Sequence, residues 1–454
     1  SSGGSMTPAV AADFAAAFGT FIRRTTGLDR PVLCLGRDSR PSGEMLALAA
    51  TAGLASVGCD VVRLGIVTTP SVAVMIDRHR AAGGMVVTAS HNPIQWNGLK
   101  CLDRDGVAPP PDDANEIIRR FRERDADPAP PDRPGLITHD DSTHDVHLAR
   151  VLELVDVDAI RASAFRVVLD SVNGAGCVAG RRLLEALGCD LVHLNGEPTG
   201  RFAHTPEPVE ENLRDLAART REAGAVVGFA QDPDADRLAV IDEQGTYIGE
   251  EYTIVLAARR RLQVTGPGPM AVNLSTSRMI DDVAAAAGAP PVLRTAVGEA
   301  NVVAAMKASG AIIGGEGNGG VIVPPVCWVR DSLSAMALML DLLASERRSL
   351  GAIVADLPRY RMIKHKFDLS DVGGREAVPP MLRAVEARFA DARLSTADGV
   401  RIDVADGWVH LRPSNTEPIV RLIAEAPTSA RAWELIDEVA VAAGLDAATR
   451  PHSG

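Results

Sequence analysis

Three aspartates two positions apart, Asp232, Asp234 and Asp236, are the residues of this sequence with the clearest chemistry. They stand in the run DPDADR directly after an apolar segment, so alternate carboxylates at a strand end can converge on one hard cation such as Mg²⁺ or Ca²⁺. Without a cation they would repel one another, which disfavours a simple solvated acidic turn. A calcium helix-loop-helix is the rival, because Glu243 falls twelfth in the loop count. Arg237 stands sixth, however, where that loop needs glycine. An arginine beside a metal suits a phosphate oxygen better. A second group is Ser90 in TASHNP (88–93). A serine at a strand end, beside His91 and Asn92, is a candidate nucleophile or phosphoryl carrier, outside the GxSxG elbow of hydrolases. Lys100 follows an Asn-Gly turn at 97–98, so a cation can return to the same site. Glu316 and Asn318 lie in GEGNGG (315–320), where glycines let a ligand approach the backbone and Glu and Asn can bond hydroxyl groups. Arg412, Ser414, Asn415 and Thr416 lie in RPSNTEP (412–418), with Arg421 beyond. That run offers a guanidinium, hydroxyls and an amide after a hairpin strand, a phosphate cradle or equally the capped start of a helix.

These groups need elements to hold them, and the chain repeats one such arrangement. VLCLG (32–36), RVVLD (166–170) and MAVNL (270–274) are short apolar strands, each followed by a polar loop, a helical stretch and a second strand. Gly-Cys-Asp precedes the second strand at 58–60 and again at 188–190. Each copy has a second half, GGMVVTASHNP, GAVVGFAQDPDAD and GAIIGGEGNGG, in which a short strand runs into an unusual loop. Buried strands alternating with helices predict parallel α/β units, whose ligands gather at the strands' C-terminal ends. The three loops can then line one cleft. Beyond about 360 the pattern changes to an amphipathic helix near 376–390 and the alternating run RIDVADGWVHLRP (401–413), whose Asp406-Gly407 predicts a hairpin turn. The expected divisions are 1–150, 151–256, 257–362 and 363–454, with linkers at 121–135 and near 355–370, the second a hinge for closure of the last domain.

Composition narrows the function. The 454 residues are 46% hydrophobic and 23% charged, enough for several packed domains. A net charge of −12 argues against a nucleic-acid or anionic-membrane surface, and 4% aromatics argues against base-stacking platforms. Six scattered cysteines without a CxxC pair read as reduced thiols of a cytoplasmic protein. No apolar run is long enough for a membrane span and no signal peptide opens the chain. The opening SSGGSM fits either an added leader before Met6 or the interior of a longer chain.

TASHNP, DPDADR, GEGNGG and RPSNTEP, in this order and spacing, resemble the α-D-phosphohexomutases, the family of phosphoglucomutase/phosphomannomutase and phosphoglucosamine mutase. GRDSRPSGEML (36–46) and DSVNGAG (170–176) also resemble family segments. The resemblance implies three topologically related, mixed-sheet α/β domains plus a C-terminal α+β, TATA-binding-protein-like domain around a central cleft. It implies an isomerase that interconverts hexose 6-phosphate and hexose 1-phosphate through a phosphorylated Ser90 and a sugar 1,6-bisphosphate. One Mg²⁺ would be held by Ser90, Asp232, Asp234 and Asp236. Lys100 matches the general base or acid, and His91 and Arg237 match groups beside the transferred phosphate. Glu316 and Asn318 match the sugar loop. Arg412, Ser414, Asn415, Thr416 and Arg421 match the grip on the non-reacting phosphate. The implied partners are hexose phosphates, for a monomer or homodimer. There are two departures: the Gly-Ile-Arg-Gly-like run that usually opens the family is absent before FAAAFGT (14–20), and Gly320 stands where many bacterial members carry His. The GEGNGG form resembles the archaeal-type phosphoglucosamine mutase group, so glucosamine phosphate is the first expected substrate and a broad phosphomannomutase/phosphoglucomutase the alternative. A phosphatase using Asp232 as nucleophile and a non-catalytic sugar-phosphate sensor are the other readings.

Overall fold

The computed structural model describes residues 6–414 and 418–445, with the backbone alone for Asp371. The first unit runs α1 (Pro8–Thr26), β1 (Val32–Arg37), α2 (Gly43–Ser56), β2 (Asp60–Ile66), α3 (Thr69–His79), β3 (Gly83–Val87), β4 (Leu99–Leu102), α4 (Pro111–Glu123), β5 (Ile137–His139) and α5 (Thr143–Leu152). The second has α6 (Val157–Ala162), β6 (Arg166–Asp170), α7 (Gly176–Ala186), β7 (Asp190–Leu194), α8 (Arg214–Glu222), β8 (Val227–Gln231) and β9 (Leu238–Ile241). The third has α9 (Glu251–Thr265), β10 (Met270–Asn273), α10 (Met279–Ala286), β11 (Leu293–Thr295), α11 (Glu299–Ser309), β12 (Ile313–Glu316), β13 (Gly320–Ile322), α12 (Ser332–Glu346) and α13 (Leu350–Ala355). The fourth has β14 (Arg361–Asp368), α14 (Val378–Arg388), β15 (Arg393–Ser395), β16 (Val400–Val404), β17 (Gly407–Pro413), β18 (Ile419–Ala426) and α15 (Ser429–Ala442).

The repeat seen in the sequence is a repeat of topology. The sheets are ordered β2-β1-β3-β4, β7-β6-β8-β9 and β11-β10-β12-β13, with β5 added beyond β2 in the first. In each, the first three strands are parallel and the last returns antiparallel. TASHNP, DPDADR and GEGNGG therefore occupy one topological place, the connection from the third strand to the antiparallel edge. Each turn contains a left-handed residue: Ser90 (φ 50°), Ala235 (φ 55°) and Gly319 (φ 84°). The fourth sheet, β14-β18-β17-β16-β15, is wholly antiparallel.

The cores explain the grouping. One apolar cluster runs from Ala73 and Val74 of α3 through Leu148, Val167 and Phe229 to α9 and α12. At its centre lies α12, buried on almost every face, as an all-round apolar helix must be. A buried polar chain crosses the same junction. Ser71 Oγ lies 2.9 Å from His147 Nδ1, and His147 Nε2 lies 3.2 Å from Asp331 Oδ2. The fourth unit has its own apolar cluster, including Val385, Val409, Leu422 and Ile436. Its seam with the third unit is polar: Ser275 Oγ with His410 Nδ1 at 3.0 Å, and the Arg278 N–H donating to Glu425 Oε1 at 2.9 Å.

Three expectations change. The run 121–135 is not a linker but a strap packed on the first unit, whose Ala129 and Gly135 N–H groups donate to Ser56 and Ala55 carbonyls at 2.8 and 2.9 Å. α5 crosses position 150 and α9 crosses position 256, so both expected divisions fall inside helices. The hairpin turn is Ala405-Asp406, because Val404 pairs with Gly407. Gly407 is the first residue of β17, where a Cβ would lie 2.2 Å from the Glu425 carbonyl oxygen. Among the described residues, no helix is long and apolar enough to cross a membrane, and all six cysteines are free thiols.

Candidate active site

The Ser90 loop leaves β3 and is braced from below. Arg40, fully buried, donates through Nη2 to the Ser90 carbonyl at 2.8 Å and also to the Asn92 carbonyl. Its Nη1 pairs with the equally buried Asp38, which also accepts from Thr88 Oγ1 at 2.6 Å. Thr88 Oγ1 in turn accepts from the Ser90 N–H at 2.9 Å. This bracket holds Ser90 in its left-handed conformation, which costs a non-glycine residue roughly 1–2 kcal/mol. The hydroxyl is thereby aimed at the second unit: Ser90 Oγ donates to Asp232 Oδ2 at 3.1 Å, and His91 Nδ1 lies 3.4 Å from it.

The three aspartates are buried, and their ligand oxygens lie within 4.8 Å of one another. Each has at least one oxygen held by the protein, and Asp232 has both. Asp232 Oδ1 accepts from the Asp236 and Arg237 N–H groups at 3.1 and 3.2 Å. Asp234 Oδ2 accepts from Thr69 Oγ1 and Lys100 Nζ, both at 2.6 Å. Asp236 Oδ2 accepts from Arg330 Nη2 at 2.7 Å, with Lys100 Nζ at 3.5 Å. The other oxygens of Asp234 and Asp236 are buried with no hydrogen-bond partner. Buried acceptors without donors are costly, and two of them side by side beside Asp232 describe a place for a small hard cation. The donor set fits Mg²⁺. The rival calcium helix-loop-helix is excluded, since a strand, β8, enters this loop.

The charges are uneven. Burial, then the neighbouring Asp236 and Asp234, pushes Asp232 well above the usual carboxylate range. Burial pushes Asp234 the same way, but Lys100 and Thr69 outweigh it and leave it ionised. Burial opposes the charge on Lys100, yet Asp234 and Asp236 outweigh that and hold the amine protonated. Burial, aided by Arg237, lowers His91, so its imidazole is neutral near pH 7. Arg237 has a buried Nε without a hydrogen-bond partner, 3.9 Å from Asp236 Oδ1. That nitrogen suits a phosphate oxygen.

The third loop meets the second directly, the Leu238 N–H donating to the Gly319 carbonyl at 3.0 Å. Glu316 accepts from Asn273 Nδ2 at 2.9 Å, Arg330 Nη1 at 3.0 Å, the Gly298 N–H at 3.3 Å and Asn318 Nδ2 at 3.4 Å. The buried Oδ1 of Asn318 has no hydrogen-bond partner. Arg412 and Arg421 are paired residues on β17 and β18, and Lys366 of β14 continues the same cross-strand row. Arg412 Nε donates to Asp398 Oδ2 at 3.0 Å, an oxygen that also accepts from the Val297 N–H at 3.1 Å. The Ser414 N–H donates to the Ile419 carbonyl at 2.9 Å. Asn415 and Thr416 lie outside the described residues.

Ser90, His91, Lys100, Arg237 and the aspartates thus converge, and Glu316 and Asn318 join them through the third loop. Arg412 and Arg421 stand on the fourth sheet with Ser414 just beyond β17, and Arg412 shares Asp398 with the Val297 N–H of the third unit. Sequence reasoning missed Asp38, Arg40, Thr69, Arg330 and Lys366. The Asp-x-Arg spacing in GRDSRPSG was a signal for the first two, and the Arg before the helix-capping Asp331 for the fourth.

Four family models match this architecture in order: phosphoglucomutase/phosphomannomutase α/β/α domain I over residues 1–127, domain II over 145–245, domain III over 249–360 and the C-terminal domain over 371–442. A Methanopyrus kandleri protein named a probable phosphoglucosamine mutase is 37% identical over 89% of this chain and 88% of its own length. A Thermococcus kodakarensis phosphoglucomutase/phosphomannomutase is 37% identical over 95% of this chain and 94% of its own. A solved phosphoglucomutase/phosphomannomutase family protein from Burkholderia thailandensis superposes with a TM-score of 0.85 at 28% identity, covering 97% of this chain and 94% of that one. With sheets, loops and ordered motifs in agreement, this chain belongs to the phosphoglucomutase/phosphomannomutase family of phosphohexomutase isomerases.

Proposed function

We propose that this phosphohexomutase acts first on glucosamine phosphate, interconverting the 6-phosphate and the 1-phosphate through a phosphoryl group carried on Ser90. The observation that carries the mechanism is the Ser90 hydroxyl, 3.1 Å from Asp232 at the mouth of the three-carboxylate site. Phosphorylated Ser90 with Asp232, Asp234 and Asp236 would hold one Mg²⁺, which when bound neutralises charge on the transferring phosphoryl group.

The chain's own residues do the rest. Arg237 takes a phosphate oxygen on its unpartnered Nε. Lys100, kept charged by Asp234 and Asp236, steadies the phosphoryl oxygens and serves as the acid. Neutral His91 takes the proton that the attacking sugar hydroxyl gives up, Lys100 supplies the one that the leaving Ser90 oxygen needs, and the return transfer reverses both. Glu316 and Asn318 read the sugar hydroxyls. Arg412, Ser414 and Arg421, extended by Lys366, grip the phosphate that is not reacting and so hold the substrate in either orientation. The sugar 1,6-bisphosphate formed from Ser90 turns end for end, returns its other phosphate to Ser90, and when supplied from outside recharges a dephosphorylated enzyme. We place the protein in the cytoplasm as a monomer or homodimer with hexose phosphates as its partners.

The sugar assignment is supported by GEGNGG and by the names of relatives such as the Methanopyrus protein. The broad phosphoglucomutase/phosphomannomutase reading has the Thermococcus relative in its favour at equal identity. Phosphatase chemistry at Asp232 is disfavoured because both its oxygens are engaged, one by two backbone N–H groups and one by Ser90. Phosphorus NMR with Mg²⁺, a trace of sugar 1,6-bisphosphate and each hexose 6-phosphate in turn tests the assignment. A 1-phosphate signal growing fastest from glucosamine 6-phosphate is expected. Faster conversion of the mannose or glucose compound would move the substrate, and no conversion of any would leave only binding.

A further inference from the structure

The metal loop and the sugar loop are joined by a side chain that neither supplies. Arg330 stands just before α12, whose N-cap Asp331 accepts from the Leu333 and Ser334 N–H groups at 3.1 and 3.0 Å. The backbone of Arg330 is thereby anchored to the most buried helix of the molecule. Its guanidinium divides its nitrogens among three carboxylates. Nη2 donates to Asp236 Oδ2 at 2.7 Å, Nη1 to Glu316 Oε2 at 3.0 Å and Nε to Glu299 Oε2 at 3.0 Å. Its own N–H reaches the same Glu299 oxygen at 2.9 Å. The side chain is only 12% exposed. A planar fork with fixed donor directions sets the relative position of what it grips, which the point charge of a lysine does not.

The stem of this arginine explains a glycine. A Cβ on Gly320 would lie 2.2 Å from Arg330 Cδ and 2.8 Å from its Cγ. Gly320 is not in a left-handed conformation, so the turn does not demand it; the arginine does.

We propose that Arg330 is a positioning residue for the mutase reaction, setting the spacing between Asp236 of the metal loop and Glu316 of the sugar loop, and that Gly320 is bare to admit its stem. This deepens the reading of the site given above and rests on it. Gly320→Ala is then a way of displacing Arg330 without removing any charge or donor.

The test is a double-mutant cycle of Gly320→Ala and Arg330→Met. Mn²⁺ binding is read by electron paramagnetic resonance, and glucosamine 6-phosphate binding to the Mn²⁺-loaded protein by calorimetry. Arg330→Met is expected to weaken sugar-phosphate binding about tenfold or more. Mn²⁺ is expected to bind no more weakly than in the wild type, because a competing cation has left the carboxylates. Gly320→Ala should show much of the same sugar-phosphate loss, and the double variant should bind no worse than Arg330→Met alone. Arg330→Lys, which keeps the charge but not the fork, should not restore sugar-phosphate binding, and it replaces Arg330→Met in the cycle should that variant fail to fold. Unchanged sugar-phosphate binding, losses that multiply in the double variant, or Mn²⁺ affinity lost in step with sugar affinity would each overturn the proposal. A wild type that binds both ligands without isomerising would sink the mutase reading alone, because the cycle is read in binding.

Discussion

Ser90 and Asp232, 142 residues apart in the chain, meet at 3.1 Å where two repeats of one topology face each other. The hydroxyl that would carry the phosphoryl group already touches a carboxylate that would hold the cation. Ser90→Ala should therefore lower turnover by roughly 10³-fold or more. The bracket below it does not involve the hydroxyl, so stability should stay within about 1 kcal/mol of the wild type. Phosphorus NMR and thermal unfolding check the two halves separately. Full activity in this variant would remove Ser90 from the mechanism.

Metal should stabilise the fold through the aspartates. In chelator, the carboxyl of Asp232 is unfavourably buried beside two others, so Asp232→Asn should melt higher than the wild type. Saturating Mg²⁺, about a hundredfold above its dissociation constant, should then raise wild-type stability by about 2.7 kcal/mol and barely move the variant. Scanning calorimetry with and without Mg²⁺ decides it, and equal metal-induced shifts in both proteins would count against the site.

The bracket under Ser90 is a fully buried ion pair, Arg40 with Asp38. Removing one member leaves the other charge without its partner, so Arg40→Met should cost about 3–5 kcal/mol. Adding Asp38→Asn should return part of that loss. Urea unfolding of the three proteins reads it; a double variant less stable than Arg40→Met would contradict the account.

Glu251 gives the stability a pH dependence. Burial raises its carboxyl to about 8, against an ordinary 4.5, and Lys364 at 3.9 Å only partly offsets this. Its Oε2 accepts from the Ser277 N–H at 2.8 Å, while Oε1 is buried without a hydrogen-bond partner. The folded state thus holds a proton that the unfolded chain gives up near 4.5. The favourable contribution is complete below that pH and is lost as pH rises toward 8, by at most about 5 kcal/mol. Glu251→Gln, which keeps the acceptor for Ser277, should remove that slope and gain on the wild type at pH 8.5 relative to pH 6. Parallel pH–stability curves would show that Glu251 is ionised throughout.

Much of this site was legible because its parts are local. DPDADR, TASHNP and GEGNGG each carry their chemistry within six residues, and the repeat placed them at equivalent strand ends. What was not legible depends on packing between distant segments. Thr69 holds Asp234 only because α3 starts against the metal loop. Lys366 joins Arg421 and Arg412 only through the pairing of β14 with β18. The Asp406-Gly407 turn was misread because a glycine demanded by the neighbouring β18 looks the same in sequence as one demanded by a turn. The strap at 121–135 has linker composition, yet its backbone is bonded to α2.

The contrast between a continuous apolar core under three units and a polar seam to the fourth has a mechanical consequence. Opening an apolar junction exposes surface that water disfavours, whereas the seam groups of Ser275, His410, Arg278 and Glu425 exchange one another for water at a net cost of about 0.5–3 kcal/mol per bond. On the closure we propose, the short stretch between α13 and β14 would be the joint, and the first three units the bench against which it works. In the mutase cycle proposed above, a bisphosphate that must let go, turn over and be gripped again would meet a cover able to lift by trading bonds with solvent, while the serine, the carboxylates and their arginine stay where they were.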